Sequence, residues 1–143
     1  MSDLAIGALS RATRVKIPTI RYYESIGMLA EPPRSPGGQR RYGDAHVERL
    51  RFIRHGRDLG FSLEDLRALL ELSALPDASC TQADAIARRQ LAEVERRLAG
   101  LTALKAEFER MLKQCAHGRV GECRVIKTLS DHQLCDHEHG SVA

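Results

Sequence analysis

Apolar residues recur along the first part of the chain at helical spacing. Leu4, Ile6, Ala8, Leu9 and Ala12 predict a short helix from about Leu4 to Ala12. Thr13-Arg14-Val15-Lys16 reads as a tight turn. Pro18 suits the first turn of a second helix, where its missing N–H costs nothing, and Gly27 suits the position just beyond that helix's end at about Ile26. Two short helices joined by a tight turn form a helix-turn-helix, whose second helix can enter a major groove.

From Glu31 to Tyr42 the pattern changes. Pro32, Pro33 and Pro36 rule out a helix, and Gly37-Gly38 is a hairpin-turn signal between residues able to form short strands, so a small wing is expected here. Asp44 is the expected N-cap of a third helix that ends near Leu59, with Gly60 after it. Ser62 with Asp65 resembles a capping box for a fourth helix from Leu63 to about Leu72, and Pro76 then breaks the chain.

Ser79 or Thr81 can cap a fifth, much longer helix. Along it Ala87, Leu91, Val94, Leu98, Leu101, Phe108 and Leu112 step by fours and threes, with Lys105 filling one slot, framed by charged residues such as Arg88, Glu93, Arg97, Glu107 and Arg110. That is a heptad-like seam suited to a partner helix, and a homodimer is the expected use. A single amphipathic helix packed on its own domain is the alternative. The preceding domain is small, and a helix of about 50 Å would overhang it.

Composition narrows the class. Aromatic residues make up 4% of the 143 residues and tryptophan is absent, so helices sharing a modest core are expected. The net charge of +3 divides unevenly: residues 1–60 carry +5 and residues 61–143 carry −2. A basic first part beside a mildly acidic remainder suits a polyanion partner for the first part alone. The start of the chain lacks the basic and apolar regions of a secretory signal, and no apolar run approaches the roughly 18 residues of a membrane span. A cytoplasmic protein without membrane contact is expected. Its four cysteines then read as metal ligands rather than disulfides.

Three of those cysteines bracket the long helix. Cys80 precedes it, Cys115 follows it, and Cys123 comes after a short loop with Gly118 and Gly121. Thirty-four residues separate Cys80 from Cys115. If they form one helix, the two thiols of one chain lie roughly 50 Å apart. An antiparallel dimer would bring Cys80 of one protomer to Cys115 and Cys123 of the other. His117 could complete a four-coordinate site. The tail, with His132, Cys135, His137 and His139, could hold a second ion or merely scavenge metal.

The basic residues of the first part suggest their use. Arg21 in the second helix can reach base edges or phosphate. Tyr23 offers a hydroxyl to a phosphate and a flat body for packing. The wing adds Arg34, Arg40 and Arg41, and the third helix adds Arg49, Arg51, Arg54 and Arg57, some of which must face away.

Ile6-Gly7, Thr19-Ile20-Arg21-Tyr22-Tyr23-Glu24, Arg40-Arg41-Tyr42 and Gly60-Phe61-Ser62-Leu63 together resemble the MerR family of transcription regulators. The resemblance runs to about Leu129. It implies a mainly α architecture: a winged helix-turn-helix DNA-binding domain over residues 1–73, a long antiparallel coiled-coil dimerisation helix over 79–114, a C-terminal metal-binding loop with a short helix over 115–131, and a Cys/His tail over 132–143. It also implies double-stranded promoter DNA and RNA polymerase as partners. Family members bind promoters whose two recognition elements are spaced too widely, and distort the spacer when the effector binds. By match of position, Arg21, Tyr23, Arg34 and Arg40 are the implied DNA contacts; Gln39 stands where the family commonly has an aromatic residue.

A Cys at the start of the long helix accompanies divalent-ion sensing in the family, whereas copper(I) sensors have Ser there. Cys80 therefore implies a divalent ion at Cys80, Cys115, Cys123 and His117, with zinc first and cadmium, lead or mercury as alternatives. Three thiolates also suit a doubly charged soft or borderline ion. The seven residues between Cys115 and Cys123 are closer to the copper(I) type in length. A thiol-based redox regulator, a copper(I)-type sensor and a small zinc enzyme are the rival readings.

Overall fold

The computed structural model describes residues 3–114, 118–131 and 133. Its helices are α1 (Ile6–Thr13), α2 (Ile17–Ser25), α3 (Asp44–Asp58), α4 (Leu63–Ser73), α5 (Thr81–Lys113) and α6 (Arg124–Ser130), with a 3₁₀ turn at Val120–Glu122 before α6. Among the described residues extended pairing is confined to two isolated antiparallel bridges, Leu4 with Tyr42 and Arg34 with Arg40. The expected mainly α architecture is what the structure has. Packing divides the chain between Ile86 and Ala87, inside α5, so the linker and the first turns of α5 belong to the first unit.

The helix ends follow from local chemistry. α1 begins later than its apolar pattern suggests. Leu4 exchanges backbone hydrogen bonds with Tyr42, at 2.9 and 2.8 Å, and that pairing holds it extended. At the other end Arg14 takes the left-handed conformation, with φ 58°. Thr13 Oγ1 donates to the Leu9 carbonyl at 2.8 Å and accepts the Val15 N–H at 3.4 Å, which shapes the turn into α2. α2 closes with a complete Schellman motif: the Met28 N–H donates to the Tyr23 carbonyl and the Gly27 N–H to the Glu24 carbonyl, with Gly27 at φ 76°. α3 closes the same way through Phe61, Gly60 and the Gly56 and Arg57 carbonyls. The N-cap of α3 is Gly43, one residue before the expected Asp44. His46 explains the shift, because its Nδ1 accepts the Gly43 N–H at 3.1 Å. That leaves Nε2 as the protonated nitrogen, donating to the Ala30 carbonyl at 3.1 Å. Ser62 caps α4 as expected, accepting the Asp65 N–H at 3.1 Å.

The first unit's core draws Leu9 from α1, Ile20 and Tyr23 from α2, Met28 and Leu29 from the following loop, Leu50 and Ile53 from α3, and Leu66 from α4. Tyr42, fully buried, locks the end of the wing into this core. Its ring meets His46 edge-on, with centroids 5.3 Å apart. Its hydroxyl donates to Glu24 Oε1 at 2.5 Å.

α5 has 33 residues, about 50 Å of helix, and from Ala87 onward belongs to the second unit. Leu91, Val94, Leu98, Leu101, Phe108 and Leu112, the large residues of the expected seam, are all exposed. At the end of α5, Glu107 and Met111 are buried on one face, and Glu107 pairs with Arg110 at 2.6 Å. Thr128 of α6 is buried as well.

Two predictions test this packing. Gly56 is buried in α3, and a Cβ there would collide with the Leu66 side chain. Although Ala is the better helix former, Gly56→Ala should destabilise the first unit by about 1–3 kcal/mol through overpacking. Urea denaturation measures this, and a gain in stability would show that Leu66 is free to move aside. Tyr42 is the second test. Burial, then its hydrogen bond to Glu24, push its phenol from 10.0 up to about 12. The fold favours the neutral phenol, so this contribution is complete below pH 10 and disappears as pH rises through about 12. Tyr42→Phe should remove that alkaline loss, read as unfolding midpoint against pH.

Candidate nucleic-acid interface and metal centre

The wing is short and tightly specified. Ser35, Pro36, Gly37 and Gly38 form a turn closed by the Gly38 N–H to the Ser35 carbonyl at 2.9 Å, and the Ser35 N–H donates to the Gln39 carbonyl at 2.7 Å. Gly38 has φ 82°, the glycine position of a three-residue hairpin loop. This turn sets Arg34 opposite Arg40. Like charges opposed on one antiparallel pair repel. Each guanidinium is held by an acceptor: Arg34 Nη1 donates to the Gly38 carbonyl at 2.8 Å, and Arg40 Nη1 lies 3.3 Å from Glu24 Oε2.

Arg34 and Arg40 share an open cleft of about 670 Å³ with Arg21 of α2, bounded by Ile6 at the start of α1 and by Gly38 and Gln39 of the wing. The cleft thus gathers three of the five expected DNA contacts on one face of the first unit. The Arg21 guanidinium is exposed and makes no hydrogen bond or ion pair among the described residues. Arg41 is held differently: its N–H donates to the Pro33 carbonyl at 2.8 Å, and its guanidinium lies 3.6 Å from Asp3.

Tyr23 does not line the cleft. Its ring belongs to the core, and burial pushes its phenol up, while Arg57 draws it down and Tyr22 pushes it further up. Its role in the fold is packing. Tyr22, one residue earlier, is 52% exposed and follows directly on Arg21. Helical phase distinguishes the two tyrosines, because Ile20 and Tyr23 share one face at i, i+3 and both are buried. Glu24 is a further residue the sequence did not single out. Its signal is a lone carboxylate at the end of α2 in a segment rich in arginine.

The arginines of α3 mostly serve the scaffold. Arg49 Nε donates to the Met28 carbonyl at 2.5 Å, Arg54 to the Arg14 carbonyl, and Arg57 Nη1 to the Phe61 carbonyl at 2.9 Å. Arg67 of α4 adds a bond from Nη2 to the Ile26 carbonyl at 2.6 Å. Carbonyls at or just past helix ends carry the negative end of the helix dipole, so a guanidinium is well matched to them.

Two of the expected metal ligands are described. Cys80 is exposed and free immediately before α5, where its carbonyl accepts the Asp84 N–H at 2.9 Å. It borders an apolar surface formed by Phe52, Leu69, Leu72 and Leu75. Cys123 is free, half-buried, and the N-cap residue of α6. Cys115 and His117 lie outside the described residues, as do His132, Cys135, His137 and His139. Among the described residues no group of three or more His, Cys, Asp or Glu side chains converges. Free thiols are the donor type that a soft or borderline ion takes, so this donor chemistry fits such an ion. No described helix is long and apolar enough to cross a membrane.

Comparison with known proteins gives a consistent result. The family pattern described as the MerR HTH family regulatory protein matches residues 4–73, and that described as MerR, DNA binding, matches residues 47–111. The chain is 38% identical over 128 residues to the HTH-type transcriptional regulator ZntR of Escherichia coli K12, spanning 87% of this chain and 90% of that protein. It is 35% identical over 131 residues to the mercuric resistance operon regulatory protein of Pseudomonas fluorescens, spanning 90% of this chain and 89% of that one. Among solved structures, the transcription regulator PbrR691 from Ralstonia metallidurans CH34 in complex with lead(II) superposes with a TM-score of 0.74 at 33% identity. That match covers 88% of this chain and 98% of that one. The chain belongs to the MerR family of helix-turn-helix regulatory proteins, which are transcription regulators and not enzymes.

Proposed function

We propose that this protein is a homodimeric, metal-responsive activator of a heavy-metal resistance or efflux promoter. The observation that carries the DNA-binding half is the cleft holding Arg21, Arg34 and Arg40. Guanidiniums gathered from a helix and an adjacent wing suit phosphates of a duplex backbone. Exposed Tyr22 adds a flat amphipathic ring beside Arg21. The exposed seam from Leu91 to Leu112 supports the dimer, since a second copy of α5 would remove it from water.

For the effector, the reading rests on Cys80 and Cys123 with Cys115 and His117. Relatives named for mercuric resistance and a neighbour bound to lead(II) support a heavy-metal effector. Zinc comes first because three thiolates and one imidazole make a closed four-coordinate set; three thiolates alone suit cadmium, lead or mercury. When bound, the ion supplies a crosslink between thiolates of the two protomers. Cys80, at the start of α5 and against the apolar surface of α3 and α4, is the ligand through which the DNA-binding domain would feel that crosslink. The two DNA-bound conformers need differ by only a few kcal/mol for such binding to shift their balance. The distorted spacer is then read by RNA polymerase.

Arg21→Ala should weaken binding to promoter duplex by about 1–3 kcal/mol in anisotropy titrations. Unchanged affinity would move the interface away from the cleft. Cys80→Ser should abolish activation by divalent metal in an in vitro transcription assay while leaving DNA affinity intact. Activation at wild-type metal concentrations would remove Cys80 from the ligand set, and activation by diamide in chelator would favour the redox reading.

A further inference from the structure

Among the described residues Glu24 is the acidic side chain tied to the basic cleft through a cleft arginine, and both of its oxygens are committed to the wing. Oε1 accepts from the Tyr42 hydroxyl at 2.5 Å and Oε2 faces Arg40 Nη1 at 3.3 Å. Its side chain is 9% exposed, against 35% for Arg40. Glu24 lies in the last turn of α2, three residues after Arg21, whereas Arg40 and Tyr42 lie at the return of the wing. One carboxylate therefore joins the helix that carries Arg21 to the hairpin that carries Arg34 and Arg40.

Two consequences follow for recognition. The tie holds the angle between α2 and the wing, so the three guanidiniums form one set of fixed spacing. The negative charge also occupies part of Arg40. A phosphate in the right place can share Arg40 with Glu24, while a duplex of the wrong shape meets a cleft with one cation partly neutralised. We propose that Glu24 is a specificity-determining positioning residue for DNA, lowering affinity for arbitrary duplex while aligning the wing for the cognate one. This rests on the DNA-binding reading above and adds a residue that need not touch DNA.

The substitution to test is Glu24→Gln, which keeps an acceptor for Tyr42 and removes the charge. Wild-type protein first selects duplexes from a randomised pool. Dissociation constants are then measured for the selected duplex and for a random-sequence duplex of equal length, across a salt series. For the E24Q protein, affinity for the random duplex should rise, affinity for the selected duplex should fall, and their ratio should drop at least about tenfold. On the random duplex the slope of log K against log salt should steepen by about 0.9, the value of one further neutralised phosphate. In an Arg40→Gln background E24Q should leave that slope unchanged, because the cation it releases is absent. Tyr42→Phe keeps the charge pair and loosens the tie, so the ratio should fall with the slope constant. This variant also carries the test if E24Q does not fold. A purely structural Glu24 would lower both affinities together with the melting temperature, leaving ratio and slope at wild-type values, and that result overturns the proposal. If wild-type protein selects no duplex at all, the DNA-binding reading itself falls, and this proposal with it.

Discussion

The carboxylate of Glu24 is the constraint on which the geometry of the DNA-binding unit turns. A hairpin with a single bridge at Arg34 and Arg40 has too few backbone bonds to hold its own orientation. It is held at its return instead. Tyr42 pairs with Leu4 through the backbone, fills the core with its ring, and reaches Glu24 with its hydroxyl. A phenol in that setting needs an acceptor, because a buried hydroxyl left without one costs about 1–3 kcal/mol. Glu24 is in turn placed by the Schellman close of α2, in which its own carbonyl accepts from Gly27. The cleft is thus the product of a helix end, a buried ring and one shared charge.

The arginines show how a basic composition divides between structure and function. Arg49, Arg54, Arg57 and Arg67 each donate to a backbone carbonyl at the end of a neighbouring or their own helix, and so use their charge to complete the fold. Arg21, Arg34 and Arg40 converge on the cleft. Net charge marks residues 1–60 as the part that meets a polyanion, yet that count includes Arg49, Arg54 and Arg57, whose cations are spent on carbonyls. A guanidinium is suited to both uses because it presents five donors in a fixed planar fork.

Much of the helical framework was legible in the chain because its signals are local. Gly27 and Gly60 end α2 and α3 with positive φ, Ser62 caps α4, and Gly37-Gly38 marks the turn of the wing. The misplacements are equally instructive. Leu4 fits the apolar period of α1 but pairs with Tyr42, thirty-eight positions away in the chain. Gly43 replaces Asp44 as N-cap because the ring of His46 supplies the acceptor. Residue type alone does not give burial: Tyr23, expected as a DNA contact by residue type and match of position, shares a face with Ile20 that is buried in the core, and Tyr22 is exposed. Packing divides the chain at Ile86, within α5. Ile86 is buried, which continuous helical sequence does not announce.

By itself the sequence determined the order of the helices and most of their ends, the apolar stripe along α5, and the placement of Cys80 just before α5. Each depends on residues within a few positions of one another, where period and capping act. Tertiary structure decided which arginines face the cleft, which tyrosine is buried, and that Glu24 ties the recognition helix to the wing. Those outcomes depend on long side chains choosing among carbonyls and carboxylates distant in the chain. Only the folded arrangement brings such acceptors within hydrogen-bonding reach.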